Sequence, residues 1–461
     1  MLGMPKGVML VIYGAREAAI VDAVTRSQHE IDLYIYDKNN NPFNRDRARK
    51  HVVDKNLSVD GMVEFAREYK DKIDFVIVTS DNPVIAGVRN RVEAATNIPV
   101  LCSTQEYAIE RSKIYQRLLL DKIAPEANPR YKVFDPQNPS HDIKKEFYEY
   151  ARELVEYVIK PDKPGLGKGV AVSGDHFSND DEAWEHFRSI YENGNSVLVE
   201  EKIDGEEFSL QFFSDGQRLI PTPAVRDYKR RFDGDKGPNT GGMGAYSDIT
   251  YWLPFMTEND YRTGVEIGNK VFTSLRGRGI NTGLRGVPLY FGFTATKDGV
   301  KVIEINTRPG DPEFQNTLAT LDIDFLDLCD SMLQGNLHNV PFKRLATVGA
   351  YIVPDSYPDG DPEGSEKERR IELAHAYEIS RGMNGRLRVY TASMERRDGS
   401  DYALDSRTVY FLGIGERIAD ARELSKRGIA SVKDPFLGHR TDIGKPDYIH
   451  ISIDHVTALR N

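Results

Sequence analysis

Cysteines and long apolar segments are scarce in this sequence. Its 461 residues include only Cys102 and Cys329, too few for the disulfide framework that stabilises small secreted domains. No apolar run approaches the roughly 20 residues that a membrane-spanning helix needs. The N-terminal apolar stretch, residues 8–13, is too short for the core of a secretory signal and its cleavage site. These absences predict a cytoplasmic protein without a membrane partner.

A surplus of basic residues is also missing. The formal net charge is −10, with 61 Lys and Arg residues against 71 Asp and Glu residues. A negative net charge disfavours non-specific binding to nucleic acid, although a locally basic pocket can still hold phosphate groups. We therefore expect small-molecule partners, no nucleic-acid partner and a monomeric protein.

The length and the 39% hydrophobic content are sufficient for two to four packed domains. Buried strands alternate with helical segments in residues 1–103, which predicts an α/β domain with a parallel sheet. Helices and strands continue in residues 104–335, where antiparallel pairing is expected, and a turn-rich segment at 335–341 indicates a boundary. Residues 336–461 then form a smaller domain of short strands and helices, so the fold class combines α/β and α+β.

A glycine loop that carries lysines is the first candidate for phosphate binding. The apolar strand 157–160 ends in Lys160, and the loop after it contains Gly165, Gly167, Lys168, Gly169 and Val170. Glycines allow backbone N–H groups to approach anionic oxygens closely, and lysines add positive charge. The spacing is not that of a P-loop. A surface hairpin with incidental lysines is the alternative interpretation.

Two apolar strands separated by an acidic turn follow at residues 197–210. Backbone groups between such strands can bond to an adenine, and a carboxylate such as that of Glu207 can accept hydrogen bonds from ribose hydroxyls. The pattern therefore permits nucleotide binding. Acidic turns are also common as solvated connections, which is the alternative here.

Charged residues and glycines are concentrated in residues 226–244. This composition has little capacity to form a helix or a regular strand. Because functional residues often lie in loops, we interpret the segment as a binding or catalytic loop. A flexible surface loop is the alternative.

A strand at residues 300–306 carries two oxygen ligands. Alternate side chains of a strand share a face, so Glu304 and Asn306 project together. Magnesium prefers such hard oxygen donors and takes one or two from the protein. Arg308 follows on the same face if the strand continues, where it would stabilise a transferring phosphoryl group. An edge strand with a polar outer face is the alternative.

The segments 233–244 and 308–313 resemble the hallmark loops of the phosphoribosylamine–glycine ligases, a family of the ATP-grasp superfamily. They read Asp-Gly-Asp-Lys-Gly-Pro-Asn-Thr-Gly-Gly-Met-Gly and Arg-Pro-Gly-Asp-Pro-Glu. The resemblance implies a two-lobed ATP-grasp core, with its small lobe at about 125–203, between an N-terminal α/β domain and a small mixed C-terminal domain. It also implies ATP-dependent ligation of glycine to phosphoribosylamine through glycyl phosphate, a step of purine biosynthesis.

The same resemblance implies roles for individual residues. The residues that would surround ATP are Lys113, Lys160, Gly165, Gly167, Lys168, Gly169, Val170, Glu200, Glu201, Ile203 and Glu207. The residues that would hold Mg²⁺ or Mn²⁺ are Glu304 and Asn306. The catalytic candidates, which would hold glycine and the amine or offset charge, are Asp227, Lys236, Arg308 and Asp311.

Three N-terminal loops differ from the family pattern. Residues 14–19 read Gly-Ala-Arg-Glu-Ala-Ala instead of Gly-Gly-Arg-Glu-His-Ala, residues 79–81 read Thr-Ser-Asp instead of Gly-Pro-Glu, and residues 102–104 read Cys-Ser-Thr instead of Gly-Pro-Ser. An α/β domain binds its ligand at such strand ends. A ligase with a different amine, or a non-catalytic nucleotide-binding protein, therefore stays open as an alternative. A dehydrogenase is disfavoured because Gly14 lacks the other glycines of the dinucleotide-binding fingerprint.

Overall fold

The computed structural model describes residues 5–163, 169–361, 369–434 and 436–461. These residues form three large sheets, one smaller four-stranded sheet and two separate hairpins. Within the described residues, no helix is long and apolar enough to cross a membrane.

The N-terminal region is a parallel sheet with helices around it, as predicted. Its strands are β1 Lys6–Ile12, β2 Ile31–Asp37, β3 Lys50–Val53, β4 Phe75–Val78 and β5 Val100–Leu101. Its helices are α1 Ala15–Thr25, α2 Pro42–Arg45, α3 Val59–Glu68, α4 Asp81–Ile85 and α5 Val88–Thr96. The strand order is β3-β2-β1-β4-β5, and every pairing is parallel. The loops after β1, β2, β4 and β5 therefore meet at one edge.

The first lobe of the central region is a small antiparallel sheet covered by two helices. Helix α6 Lys113–Ile123 leads into this lobe, and the two helices that cover its sheet are α7 Ile143–Leu154 and α8 Asp180–Tyr191. Its strands are β6 Tyr131–Phe134, β7 Tyr157–Pro161, β8 Ala171–Val172 and β9 Val197–Glu201. The aromatic side chains of α7 and α8 form its separate core, in which the rings of Phe147 and Phe187 lie 4.8 Å apart.

The second lobe contains a four-stranded antiparallel sheet of order β11-β10-β16-β17. The strands of this region are β10 Glu206–Asp215, β11 Leu219–Pro221, β12 Arg226–Asp227, β13 Arg230–Phe232, β14 Lys236–Asn239, β15 Gly244–Ser247, β16 Arg285–Thr296 and β17 Gly299–Asn306. Its helices are α9 Glu258–Arg276, α10 Glu313–Thr320 and α11 Phe325–Gln334. Long apolar stretches on β10 and β16 explain why these two strands form the centre of the largest core.

The C-terminal region adds a sheet that also includes strands from the central region. Its strands are β18 Ala346–Pro354, β19 Leu387–Thr391, β20 Met394–Arg397, β21 Ser400–Ala403, β22 Val409–Gly415 and β23 Leu437–Gly438. Its helices are α12 Ala374–Gly382, α13 Ile418–Ala430 and α14 Pro446–Arg460. The sheet runs β12-β15-β18-β22-β19, with β23 paired to β18. The domain limits at residues 103 and 335 stay a prediction.

One expectation about secondary structure is wrong. Residues 226–244 were expected to lack regular strands, but they contain β12, β13 and β14 and lead into β15. The β13–β14 hairpin turns at Gly234 and Asp235, both of which have positive φ angles. Glycine and aspartate tolerate this conformation better than most residues do, so the turn composition that disfavours long strands permits a tight hairpin.

Candidate functional site

The two predicted metal ligands lie at the end of β17. Asn306 is 6% exposed, and its Nδ2 atom has no hydrogen-bond partner among the described residues. The carboxylate of Glu304 makes no hydrogen bond or ion pair with a described residue. The side-chain oxygen of Asn306 and the carboxylate of Glu304 are oxygen donors of the kind that a hard divalent cation prefers, so the two residues fit the predicted metal.

Two predicted ATP-binding lysines lie near Glu304, close enough for its negative charge to favour their protonated forms. Lys113 begins α6 and donates to the carbonyl oxygens of Pro161 and Lys163, both at 3.1 Å. Lys160 ends in an ion pair with Glu200, with 2.5 Å between Nζ and Oε2. Burial lowers the pKa of both lysines. The two ammonium groups lie in one cleft although they come from different elements. Phosphate oxygens could bind both groups there and replace the carbonyl contacts of Lys113.

A buried arginine that the sequence analysis missed joins the two lobes at this cleft. Arg117 of α6 donates to Glu200 through Nε at 2.5 Å and Nη2 at 2.9 Å. It also donates to the carbonyl oxygens of Val302 and Ile303, at 3.0 and 2.7 Å, just before Glu304. Burial alone would raise the pKa of Glu200, but the charges of Arg117 and Lys160 lower it to about 2. Glu200 is therefore an anion that fixes Lys160.

The remaining predicted nucleotide residues lie around the connection from β9 to β10. Glu201 points away from Glu200, because neighbouring strand residues alternate faces, and it pairs with Arg130 at 2.8 Å. Ile203 is half-buried, and the exposed Glu207 accepts from Lys229 at 3.1 Å. Since its side chain is paired with Arg130, Glu201 could bind a nucleotide through its backbone atoms. Glu207 could bind one through its exposed carboxylate.

The glycine loop before β8 is only partly described. Gly169 has a φ of +84°, and Val170 is half-buried next to it. Gly165, Gly167 and Lys168, which were predicted to contact phosphates, lie outside the described residues.

Residues 226–244 carry two of the predicted catalytic residues in different surroundings. Burial and the carboxylates of Glu207 and Glu304 raise the pKa of Asp227, so the structure brings Asp227 to the cleft. Lys236, in contrast, is exposed at the start of β14 and makes no hydrogen bond or ion pair with a described residue. The structure does not bring Lys236 and Asp227 together, and the catalytic role of Lys236 stays a prediction.

Arg308 lies beyond the end of β17, and its side chain still reaches the cleft. Its Nε donates to Asp81 at 2.6 Å, and its Nη1 donates to the carbonyl oxygen of Pro309 at 3.0 Å. The guanidinium lies 5.9 Å from the ring centre of Tyr290. Burial alone would raise the pKa of Asp81, but the charge of Arg308 holds it below its usual value. A fixed cation near the metal ligands is suited to stabilising a phosphoryl or acyl phosphate group.

Asp311 links the two hallmark loops to the C-terminal region. Its carboxylate accepts from Arg407 at 2.8 Å and from Tyr351 at 2.7 Å. Burial opposes ionisation, but Arg407 keeps the pKa of Asp311 below its usual value. Gly242 has a φ of +103°, and a Cβ atom there would lie 2.6 Å from Cδ of Pro312. Only glycine allows the two loops to approach this closely.

Asp311 also lines a cleft of about 250 Å³ between the N-terminal and C-terminal regions. The polar groups around it include Lys38, Ser393, Ser406 and Arg407, and the Gly14 turn forms one wall. Several hydrogen-bond donors in one cleft can bind an anionic, hydroxylated ligand.

A second acid that the sequence analysis missed lies beside this arrangement. Glu313 is 2% exposed at the start of α10. Burial and the nearby carboxylate of Asp227 raise the pKa of Glu313 to about 8. It belongs to the motif that carries the resemblance, but nothing in its spacing indicates that its charge interacts with that of Asp227, which lies on β12.

Family models and curated relatives both match the family that the sequence motifs resemble. Residues 6–110 match the model of the phosphoribosylglycinamide synthetase N domain, and residues 111–314 match that of its ATP-grasp (A) domain. The chain is 35% identical over 457 residues to a phosphoribosylamine–glycine ligase of Methanocella arvoryzae, with 98% of this chain and 99% of that protein covered. It is 33% identical over 454 residues to the enzyme of that name from Pyrococcus furiosus, with 98% of each chain covered.

Solved structures show the same fold. A phosphoribosylamine–glycine ligase from Thermotoga maritima superimposes with a TM-score of 0.72 and 22% identity, covering 95% of this chain and 99% of that chain. An N5-carboxyaminoimidazole synthase from Aspergillus clavatus, solved with ADP, superimposes with a TM-score of 0.62 and 12% identity, covering 93% and 98% of the two chains. The similarity therefore extends over nearly the entire chain.

Proposed function

Because the chain belongs to the phosphoribosylamine–glycine ligase family, we propose that it joins glycine to 5-phosphoribosylamine with ATP, giving glycinamide ribonucleotide, ADP and phosphate. The observation that carries this proposal is the meeting of Lys113, Lys160, Glu304 and Arg308 in one cleft between the lobes. These groups serve one purpose together, which is to hold and neutralise a transferring phosphoryl group.

The first step activates glycine. A carboxylate oxygen of glycine bonds to the γ-phosphorus of ATP, the bond from that phosphorus to the β–γ bridging oxygen breaks, and ADP leaves with the electron pair. Lys113 and Lys160 bind phosphate oxygens, and Arg308 faces the group in transfer. Mg²⁺ or Mn²⁺, when held by Glu304 and Asn306, supplies additional positive charge to the phosphates. The product, glycyl phosphate, has the good leaving group that a free carboxylate lacks.

The second step forms the amide. The amine nitrogen of phosphoribosylamine bonds to the carbonyl carbon of glycyl phosphate, the bond from that carbon to the phosphate oxygen breaks, and the nitrogen gives up one proton to the solvent. Phosphate leaves with the electron pair. Arg308 stabilises the departing phosphate. The acids Asp227 and Glu313 lie where they could bind the ammonium group of glycine, whose positive charge would favour their ionised forms.

We assign the phosphoribosyl group to the cleft beside Asp311. Lys38 supplies positive charge there, Arg407 supplies a guanidinium that is ion-paired with Asp311, and Ser393 and Ser406 supply hydroxyl groups. The N-terminal turn at Gly14 lacks the family's histidine, so cationic side chains from the loop after β2 and from the C-terminal region would provide recognition instead. We also propose that the protein is cytoplasmic and monomeric. Light scattering on the purified protein would test the monomeric state.

The deciding experiment measures ADP release with ATP, magnesium and glycine, with and without freshly generated phosphoribosylamine. Release that needs both substrates, together with glycinamide ribonucleotide detected by mass spectrometry, is the expected result. ADP release with glycine and another amine would favour a ligase of different specificity, a possibility that the altered N-terminal loops raise. No release under any combination would favour a non-catalytic nucleotide-binding protein.

A further inference from the structure

The N-terminal loops that differ from the family pattern contact three successive residues of the motif after β17. The Thr307 hydroxyl donates to the buried Glu110 at 2.8 Å and therefore accepts from the hydroxyl of Ser103 at 2.8 Å. Arg308 donates to Asp81 at 2.6 Å. The carbonyl oxygen of Pro309 accepts from Arg16 at 2.8 Å. These loops therefore hold the backbone and side chains of the phosphoryl-transfer motif.

Among these contacts, the one between Asp81 and Arg308 involves a side chain that the proposed reaction uses. Two donors of the guanidinium, Nε and one Nη1–H, are bonded to Asp81 and to Pro309. Its Nη2 atom makes no hydrogen bond with a described residue. Both side chains are mostly buried, with 16% of Arg308 and 20% of Asp81 exposed. The guanidinium is thus fixed at one side and retains donors for an anion at the other.

We propose that Asp81 is a positioning residue that orients Arg308 toward the phosphoryl group, so that the altered loop at residues 79–84 acts in phosphoryl transfer rather than in recognition of the amine substrate. This inference rests on the proposed function. A guanidinium held by one carboxylate at Nε cannot rotate freely about its terminal bonds. It therefore keeps its free donors aligned before the substrate arrives, and small displacements of such a group are costly to catalysis.

The test compares Asp81→Asn with the wild type in steady-state kinetics. Asparagine has nearly the same shape and can still accept one hydrogen bond, but it lacks the charge that pairs with Arg308 at 2.6 Å, so the hold on the guanidinium is weakened. We expect kcat to fall by about 10- to 100-fold while the KM for phosphoribosylamine changes by less than about 3-fold. Asp60→Asn is the matched control. Asp60 is an exposed aspartate of the N-terminal region that also pairs with an arginine, Arg91, but it makes no hydrogen bond or ion pair with the motif after β17 among the described residues. A rise in the KM for phosphoribosylamine at unchanged kcat would overturn the proposal.

A double-mutant cycle distinguishes positioning from a general structural effect. If Asp81 acts through Arg308, adding Asp81→Asn to Arg308→Gln should lower kcat by less than about 2-fold beyond the single Arg308 variant. Multiplying effects in the double variant would contradict the proposal. The concentration of folded enzyme is taken from ADP binding in every case, so partial unfolding of a variant cannot mimic a fall in kcat.

A binding measurement separates this inference from the proposed function. The affinity of inorganic phosphate for the protein loaded with ADP and magnesium is measured by calorimetry, without glycine or amine. Asp81→Asn should weaken phosphate binding by about 5- to 10-fold, because the oriented guanidinium is lost. Equal affinities would overturn the positioning role. If the wild type forms no glycinamide ribonucleotide, the proposed function fails, while the phosphate affinities still decide whether Asp81 orients Arg308.

Discussion

The buried guanidinium of Arg117 offers a quantitative test of how the two lobes are held at the nucleotide cleft. The side chain of Arg117 is 2% exposed and makes four hydrogen bonds, two to Glu200 and two to backbone carbonyls of β17. Replacing it in the Arg117→Met variant keeps an unbranched side chain but removes every donor. Among the described residues, Glu200, also 2% exposed, then keeps Lys160 alone as a charged partner.

The expected loss of stability follows from the pKa of Glu200. A change from the usual 4.5 to about 2 corresponds to about 3 kcal/mol of stabilisation of the charged form. Lys160 retains part of it, whereas the two carbonyl groups lose their donors, so we expect the free energy of unfolding at pH 7 to fall by about 2–4 kcal/mol. Because the folded-state pKa is depressed, the stabilisation is present above about pH 4.5. The difference between variant and wild type should therefore shrink as the pH falls from 4.5 toward 2.

Arg130→Met is the matched control, because Arg130 pairs with the adjacent residue of the same strand, Glu201, but has a 57% exposed side chain. An exposed pair contributes roughly 0–1 kcal/mol, so this variant should unfold nearly as the wild type does. Unfolding in urea can be followed by tryptophan fluorescence, since Trp184 lies in the small lobe. The KM for ATP should rise in Arg117→Met alone, because Lys160 loses its fixed anion. Equal losses in the two variants would refute the reasoning.

Three further predictions concern the metal site, the cleft beside Asp311 and the C-terminal helix. Glu304→Ala should abolish turnover and leave the circular dichroism spectrum unchanged, and activity retained at saturating magnesium would exclude Glu304 as a ligand. Arg407→Met should raise the KM for phosphoribosylamine by about 10-fold or more and leave the KM for ATP unchanged, because it removes a cationic donor from the cleft; the reverse pattern would contradict the assignment. His455, at 2.7 Å from Glu206, has a raised pKa, so its stabilising charge is present below pH 6.5 and is lost as the pH rises through the raised value. His455→Gln should remove this contribution of the His455 charge to the pH dependence of the urea midpoint. An unchanged pH profile in the variant would contradict the stabilising role of that charge.

The sequence predicted well the features that depend on local periodicity or on a contiguous motif. The parallel N-terminal sheet follows from apolar strands separated by helices, and it is confirmed by the pairings of β1 with β2 and β4. The projection of Glu304 and Asn306 from one strand rests on the two-residue repeat of β structure. The same repeat explains the different surroundings of Glu200 and Glu201, although the family resemblance alone assigned both to ATP.

The features that the sequence did not predict depend on partners far along the chain. Arg117 contacts Glu200 at a separation of 83 residues, and Asp81 contacts Arg308 at 227. A charged residue on an amphipathic helix is usually solvated, so nothing near Arg117 indicates burial. Strand β15, which follows the charged segment, forms for a similar reason, because it completes its hydrogen bonds with β18 about 100 residues later. Local composition cannot reveal such a partner.

The contacts of the N-terminal loops change how their unusual composition should be interpreted. A loop that only recognised a substrate would be expected to direct its polar groups into the cleft, but Glu17 accepts from the Gly14 backbone and from Thr79, and Asp81 points to Arg308. Substitutions in these loops can therefore alter the amine site and still preserve phosphoryl transfer, provided that a carboxylate remains at position 81. By this argument, the residue at position 81 should matter for every amine that the enzyme accepts, whereas Lys38 and Arg407 should decide which amine it prefers.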